Sequence, residues 1–308
     1  KNLMEKTVFK DMDAFLEAYL RDRRRIVEEA LFKYLPAENN TPAEIYKAVR
    51  YSVFAGGKRI RPILCLAAAE ACGGDIASSM PVACALELIH TYSLIHDDLP
   101  SMDNDDFRRG KPTCHKVYGE NIAILAGDAL LTEAFVLLSQ AEKNSLPAER
   151  RLAAIHEISQ AAGIAGMVGG QTLDVLSEKS SPDLEVLQQI HRRKTGALLQ
   201  AAVVSGAIIS GAPLDKITAL ADYGMNIGVA FQIADDILNV EGDRKLMGKE
   251  TGSDKALGKV TYPSLMGMDY AKQELQNHVD KAIICLAVFD KRALPLRQIA
   301  RYIMERKS

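Results

Sequence analysis

Two long apolar stretches of this chain each end in a pair of adjacent aspartates. Residues 95–99 read IHDDL, and residues 233–237 read IADDI. Both stretches carry too few polar groups for a surface helix, so we predict helices enclosed by other helices. Unpaired carboxylates are costly to bury, and they are stable only in solvent or together around a cation. Because two such pairs lie at the ends of the most apolar helices, a shared cation is favoured over exposure to solvent.

The composition favours an all-helical fold. Hydrophobic residues make up 48% of the chain, aromatic residues only 6%, and alternating β-branched runs are scarce. Helical patterns separated by short breaks occur over residues 11–34, 41–54, 62–71, 79–98, 122–138, 153–175, 198–210 and 217–240. Thr41 is the expected N-cap of the second, ahead of Pro42. No long linker divides residues 1–308, so we predict one domain, a single large helix bundle.

The charge balance limits the partners. A net charge of −2 provides no field to attract nucleic acid or an acidic membrane. The longest apolar runs fall short of the roughly 20 residues that span a bilayer, so no stable membrane insertion is expected. Five scattered cysteines without CxxC spacing suit a reducing compartment and argue against zinc, which predicts a cytoplasmic protein. Residues 1–3 precede the first methionine and are read as either added residues or the start of a trimmed chain.

The first aspartate pair belongs to a longer acidic segment, residues 94–110, which read LIHDDLPSMDNDDFRRG. Pro100 cannot lie in a helix interior, so Asp97 and Asp98 are expected at a helix end. Crowded carboxylates repel one another unless they protonate or share a cation. No thiolate or histidine cluster is near, so a hard, oxygen-seeking ion such as Mg²⁺ fits. In the second copy, helical spacing puts Gln232, Asp235 and Asn239 on one face with Asp236.

A basic turn is the first candidate anion site. Residues 56–62 read GGKRIRP, a glycine-rich turn leading into a helix that is expected to begin near Pro62. Free N–H groups at that helix start, with Lys58 and Arg61 beside them, would bind an anion.

Other cationic positions are scattered along the chain. Arg108 and Arg109 follow the aspartates directly, and they either bind an anion or simply neutralise the carboxylates. His90 lies two helical turns before Asp97, where a buried core histidine is the plainer interpretation. Together with Lys194 and Lys249, these residues suit substrates that carry several phosphates.

Six segments in this order resemble the trans-isoprenyl diphosphate synthases. They are GGKRIRP, HDDLPSMDNDDFRRGKPTCH, GGQTLD, KTGALL, FQIADDILN and GKVTYP. The resemblance implies an all-helical bundle around a deep central cavity, usually a homodimer, which uses Mg²⁺. The implied reaction joins an allylic diphosphate to isopentenyl diphosphate, head to tail, and releases diphosphate.

The resemblance also implies residue roles. Asp97, Asp98 and Asp103 would hold two Mg²⁺ ions on the allylic diphosphate, and Asp235 a third; with Lys194 they form the implied catalytic set. The implied contacts to the allylic diphosphate are Arg108, Lys194, Thr195, Gln232 and Lys249. The implied contacts to isopentenyl diphosphate are Gly57, Lys58, Arg61, His90 and Arg109.

Two positions bear on the strength of metal binding and on product length. Asn239 stands where the family motif usually has a third aspartate, which weakens the expected third metal site unless Glu241 or Asp243 contributes. Tyr92 and Ser93 lie about 6 to 8 Å before Asp97 along the helix, and a tyrosine ring there would obstruct products longer than C15. The sequence therefore predicts a farnesyl diphosphate synthase. A geranylgeranyl diphosphate synthase and a non-catalytic partner subunit of a longer-chain synthase are the alternatives.

Overall fold

The computed structural model describes residues 2–140, 146–177, 183–241 and 260–305, with side chains from residue 14 onward. The α-helices, in chain order, are α1 (Asn2–Tyr34), α2 (Ala43–Val53), α3 (Ile60–Ala71), α4 (Ile76–Asp97), α5 (Cys114–Tyr118), α6 (Glu120–Ser139), α7 (Ala148–Ala162), α8 (Met167–Ser177), α9 (Leu184–Ile190), α10 (Ala197–Ile209), α11 (Leu214–Glu241), α12 (Tyr262–Met266), α13 (Met268–Cys285) and α14 (Leu294–Glu305). A π-helix spans His191–Gly196, and 3₁₀ turns span Leu286–Val288 and Lys291–Ala293. The all-α fold class is confirmed.

The centre of the bundle consists of α3, α4, α10 and α11, in which α10 packs against the other three and α3 packs against α4. Nearly every residue of α10 is buried, and most residues of α3 are too. The two helices approach closely at Gly206, where a side chain would overlap the backbone of Cys65. As predicted from their apolar sequences, these helices lie inside a layer of others.

The acidic segment leads into a hairpin that contains the only strands in the described part of the chain. β1 (Phe107–Arg108) pairs antiparallel with β2 (Lys111–Pro112). The two-residue link between them, Arg109-Gly110, has positive φ at both residues, as a tight hairpin turn requires. This hairpin was not predicted, because two residues per strand give no alternating pattern.

Three predicted helix boundaries were wrong. Thr41 is not a cap, because α2 begins at Ala43 with Pro42 at the N-cap position and no side-chain cap. The stretch 153–175 is two helices, since the chain breaks at Gly163 and resumes at Met167. The third helix begins two residues before Pro62, which occupies its first turn, where a missing N–H costs nothing.

Helix α6 is long, apolar and partly buried. Among the described residues, α6 is long and apolar enough to cross a membrane by length and composition alone. In this structure it packs against α4 and buries Ala123, Ala126 and Leu130. Its opposite face leaves Ile124, Leu125 and Val136 exposed.

Candidate active site

The first aspartate pair lies at the end of α4, as its sequence predicts. Asp97 is the last helical residue and Asp98 is the C-cap. The chain then folds back, because the Asp103 N–H donates to the Asp97 carbonyl at 2.8 Å and the Asn104 N–H donates to the Leu99 carbonyl at 3.1 Å. The loop thereby returns Asp103 to the end of the helix.

Asp98 and Arg108 form a buried pair beneath this loop. The Arg108 Nε atom donates to both carboxylate oxygens of Asp98, at 2.6 and 2.9 Å, and its Nη2 also contacts Asp105 at 3.2 Å. Only 5% of the Asp98 side chain is exposed. In this conformation Arg108 neutralises the aspartate cluster, which is the alternative to its predicted contact with diphosphate.

Asp97 faces a different environment. Burial, together with the nearby Asp103 and Asp98 carboxylates, raises the pKa of Asp97 to about 6, against the opposing charges of Lys194 and Arg108. A carboxylate that is costly to ionise gains from any cation placed beside it.

Asp97 opens onto a cavity of about 650 Å³. Eight of the sequence-predicted site residues line it: Arg61, His90, Tyr92, Ser93, Asp97, Lys194, Thr195 and Gln232. The remaining wall is mainly apolar and comprises Leu94, His96, Met102, Met167, Val168, Gln171, Thr172, Val175, Leu176 and Phe231. The cavity thus combines a charged and polar set of side chains with an apolar wall.

The π-helix positions two of the polar residues. The Lys194 ammonium donates to Asp174 on α8 at 2.6 Å, and the Thr195 hydroxyl donates to the side-chain Oε1 of Gln232 on α11 at 2.6 Å. Close packing holds the π-helix in place, because a methyl group at Gly228 would lie 2.5 Å from the Gly196 Cα. Such single π turns often occur at functional sites.

The basic turn before α3 meets the hairpin. The Arg109 guanidinium donates to the Gly56 carbonyl and lies over Gly57, where an added Cβ would be 2.6 Å from Nη1. Arg61 lines the cavity, and burial lowers its pKa to about 10, so it remains cationic at neutral pH. Burial and the nearby Arg61 and Arg109 guanidinium groups hold the pKa of His90 well below its ordinary value, so this imidazole is neutral.

Arg59, in the same turn, has a structural role. Its guanidinium donates to Glu87 on α4 at 2.7 Å and to the Val53 carbonyl at 2.6 Å, and both side chains are buried. Arg59 therefore fixes the start of α3 against α4, and the neighbouring Arg61 is left to the cavity.

The two members of the second aspartate pair lie in different environments. Asp236 is buried and accepts a hydrogen bond from the Tyr262 N–H at 2.9 Å, with His191 Nε2 at 3.6 Å. Asp235 is only partly buried. Gln232 faces the cavity, whereas Asp236 anchors the segment that begins α12, so the predicted common face carries two different functions.

Some predicted residues lie elsewhere. Lys58 borders a small apolar crevice formed with α14, apart from the main cavity. Lys249, and Asp243 beside the second aspartate pair, fall outside the described residues.

All the comparisons with known proteins point to one protein family. The polyprenyl synthetase family model matches residues 42–290. The chain belongs to the polyprenyl synthetase family. It is 49% identical to farnesyl diphosphate synthase of Geobacillus stearothermophilus, over 87% of this chain and 90% of that protein. It is 48% identical to geranylgeranyl diphosphate synthase of Cyanophora paradoxa, over 95% and 97%. The crystal structure of geranylgeranyl pyrophosphate synthetase from Pyrococcus horikoshii Ot3 superposes with a TM-score of 0.86 at 34% identity, covering 95% of this chain and 99% of that one.

This polyprenyl synthetase is a prenyltransferase of the trans-prenyl diphosphate synthase type. Its relatives include both farnesyl and geranylgeranyl synthases, so the comparisons leave the product length open.

Sequence reasoning missed several residues of the prenyltransferase site. Asp174 holds Lys194, and Gln171 lines the cavity with a buried side-chain oxygen that has no hydrogen-bond partner among the described residues. Both belong to the segment GGQTLD, which was matched to the family but given no role. Gly170 in that segment allows α8 to touch the backbone at Lys194.

The carboxylates suit a metal shared with a substrate better than an all-protein metal site. Within the described ranges, no group of three or more acidic, histidine or cysteine residues is arranged to hold an ion by itself. Mg²⁺ commonly takes one or two carboxylates and completes its shell with phosphate oxygens and water. Asp97 and the returning Asp103 fit that pattern, since burial and the repulsion from Asp103 and Asp98 disfavour the ionised form of Asp97 without a cation.

Proposed function

We propose that the enzyme condenses dimethylallyl or geranyl diphosphate with isopentenyl diphosphate, in the presence of Mg²⁺, to give farnesyl diphosphate. The cavity carries this proposal. It brings Asp97, Lys194, Thr195 and Gln232 into one space with an extensive apolar wall. A molecule with an anionic head and a hydrocarbon tail has this distribution of chemistry, and burying the tail would contribute about 25 cal/mol per Å² of apolar surface.

The proposed leaving-group site consists of Lys194, Thr195 and Gln232. The Lys194 ammonium and the Gln232 amide would donate to the diphosphate, as Asp174 and Thr195 keep both side chains in place. Asp97 and Asp103 on one side, and Asp235 on α11, would hold Mg²⁺. When bound, Mg²⁺ stabilises the negative charge that grows on the diphosphate as its C–O bond breaks.

The proposed isopentenyl diphosphate site consists of Arg61, Arg109 and the neutral imidazole of His90. The two guanidinium groups give the site its positive charge. The neutral imidazole of His90 adds one N–H donor and no further charge. The allylic carbon then bonds to the isopentenyl double bond, and a proton leaves the resulting cation. We assign that proton to the departing diphosphate, whose oxygens are basic and are released next to the reacting carbons.

Product sizing tests the function. The purified enzyme is incubated with dimethylallyl and isopentenyl diphosphates and Mg²⁺, and the products are separated by chain length. We expect C15 as the main product and no turnover after chelation by EDTA, with recovery on adding Mg²⁺. Asp97→Asn should lower turnover by at least about 100-fold, because an electrostatic contribution of about 3 kcal/mol is removed. Exposed Asp222→Asn on α11 serves as the matched control.

Two outcomes favour the alternatives. A mainly C20 product favours the geranylgeranyl synthase, as the Cyanophora relative is named. No condensation by the pure chain favours the non-catalytic partner subunit.

We also propose a cytoplasmic homodimer. Ile124, Leu125 and Val136 expose 45, 53 and 41% of their surfaces on one face of α6, which suits burial against a second copy. All five cysteines are free thiols, which is the usual state in a reducing compartment.

A further inference from the structure

We propose that His96 sets product length by bracing Tyr92, so that the obstruction in the cavity is a pair of rings and not one tyrosine. The inference rests on the proposed function. It concerns which side chains limit the growing hydrocarbon, whatever the length of the main product.

Tyr92 and His96 are one helical turn apart on α4, and both line the cavity. Their ring centroids are 5.8 Å apart with an interplanar angle of 77°, an edge-to-face contact. Tyr92 is only 7% exposed, and its ring meets no other aromatic ring among the described residues. A hydrocarbon that pushes the tyrosine ring aside must therefore disturb His96.

His96 is fixed from the other side by α6. Its Nε2 lies 3.0 Å from the Ile124 carbonyl oxygen, and because a carbonyl only accepts, Nε2 carries the proton. The imidazole fits over Gly127, where any side chain would overlap it. Glycine inside a helix is less favourable than alanine, so its use here has a packing reason.

These contacts couple the cavity wall to a neighbouring helix. An isolated tyrosine can rotate about χ1 and χ2, whereas Tyr92 is restricted by an imidazole that is itself bonded to α6. The positioning residue is His96, and Tyr92 is the group that the product meets.

The test measures the ratio of C20 to C15 product, with dimethylallyl diphosphate as primer. An edge-to-face pair contributes about 0.5–1.5 kcal/mol, so His96→Ala should raise the ratio roughly two- to tenfold. His96→Phe, which keeps a ring but loses the bond to Ile124, should raise it less. Gly127→Ala should raise it too, since the added methyl displaces the imidazole. Exposed His156→Ala on α7 is the matched control and should leave the ratio unchanged.

A double substitution separates bracing from an independent contact. Tyr92→Ala/His96→Ala should give the same ratio as Tyr92→Ala alone, because the brace has nothing left to hold. Active His96→Ala and His96→Phe variants with the parental ratio would overturn the inference, as would full additivity in the double variant. Parental enzyme that forms no condensation product at all would instead refute the proposed function, and the inference with it.

Discussion

Arg108 and Asp98 illustrate how a charged pair in the acidic segment is used. The sequence allowed Arg108 to contact diphosphate or to neutralise carboxylates, and the folded chain pairs it with Asp98 through both oxygens of the carboxylate. Because Asp98 is buried, removing its partner leaves a charge without compensation.

We therefore expect Arg108→Ala to lower the free energy of unfolding by about 2–4 kcal/mol. Urea denaturation of the substrate-free protein measures this. Asp98→Asn combined with Arg108→Gln should recover most of the loss, since neither charge remains buried. Unchanged stability with weakened diphosphate binding would instead assign Arg108 to the substrate.

His90 gives a pH dependence of stability. Its native pKa is depressed by burial and by Arg61 and Arg109, whereas the unfolded histidine takes a proton below about 6.5. Below about pH 6.5 a proton therefore binds the unfolded state and not the native one, so the free energy of unfolding falls as the pH falls.

Between pH 7 and pH 5, His90→Asn should lose about 1–2 kcal/mol less unfolding free energy than the parent. Chemical denaturation at the two pH values gives the difference. Exposed His156→Asn should behave as the parent does. Equal losses in parent and His90→Asn would mean that His90 is protonated in the native protein.

At the scale of elements, the π-helix orients the side chains of Lys194 and Thr195. The sequence HRRKTG gives no periodic signal for an i→i+5 turn, and residues 184–196 were not predicted as helix. The turn depends on backbones that touch: Gly170 on α8 and Gly228 on α11 both press against it. Those contacts exist only after three distant segments have packed.

Gly228→Ala tests this packing, because the change in stability expected from the contact is opposite in sign to the change expected from helix propensity. Alanine in a helix interior is ordinarily favoured by about 1 kcal/mol, yet here the methyl group would push α11 from Gly196. We expect the free energy of unfolding to fall by about 1–3 kcal/mol and turnover to fall with it, because Gln232 is one turn away. Asp222→Ala on the exposed face of α11 should change neither. A stabilised variant would show that the contact relaxes freely.

At the scale of the whole molecule, the exposed apolar face of α6 predicts self-association. The face lies opposite the side that packs on α4, so burying it against a second copy would not disturb the cavity wall. A charged side chain placed on this face of α6 should destabilise a dimer more than a monomer.

Leu125→Glu should shift the sedimenting species from dimer to monomer at micromolar concentration, with the helix content unchanged. Leu214→Glu, at a more exposed apolar position on α11, should remain dimeric. A parental protein that sediments as a monomer would contradict the proposed homodimer.

The sequence by itself determined the helical class, the central position of the apolar helices and the placing of Asp97 and Asp98 at a helix end. Each depends on local chemistry: periodicity, the absence of polar groups, and a proline that stops a helix. It also identified eight residues of the cavity wall. Five of them belong to segments that match a family in order, and His90, Tyr92 and Ser93 were found by their helical distance from Asp97.

Only the tertiary structure decided which carboxylate of each pair is the more buried. Asp97 and Asp98 are adjacent in sequence, as are Asp235 and Asp236, and no local rule separates the members of either pair. Arg108 binds Asp98 from the hairpin that follows the acidic loop, and the Tyr262 N–H binds Asp236 from the remote start of α12. The two members of each pair therefore differ only once the chain has folded. The His96 brace has the same origin, since its carbonyl acceptor and its glycine both belong to α6.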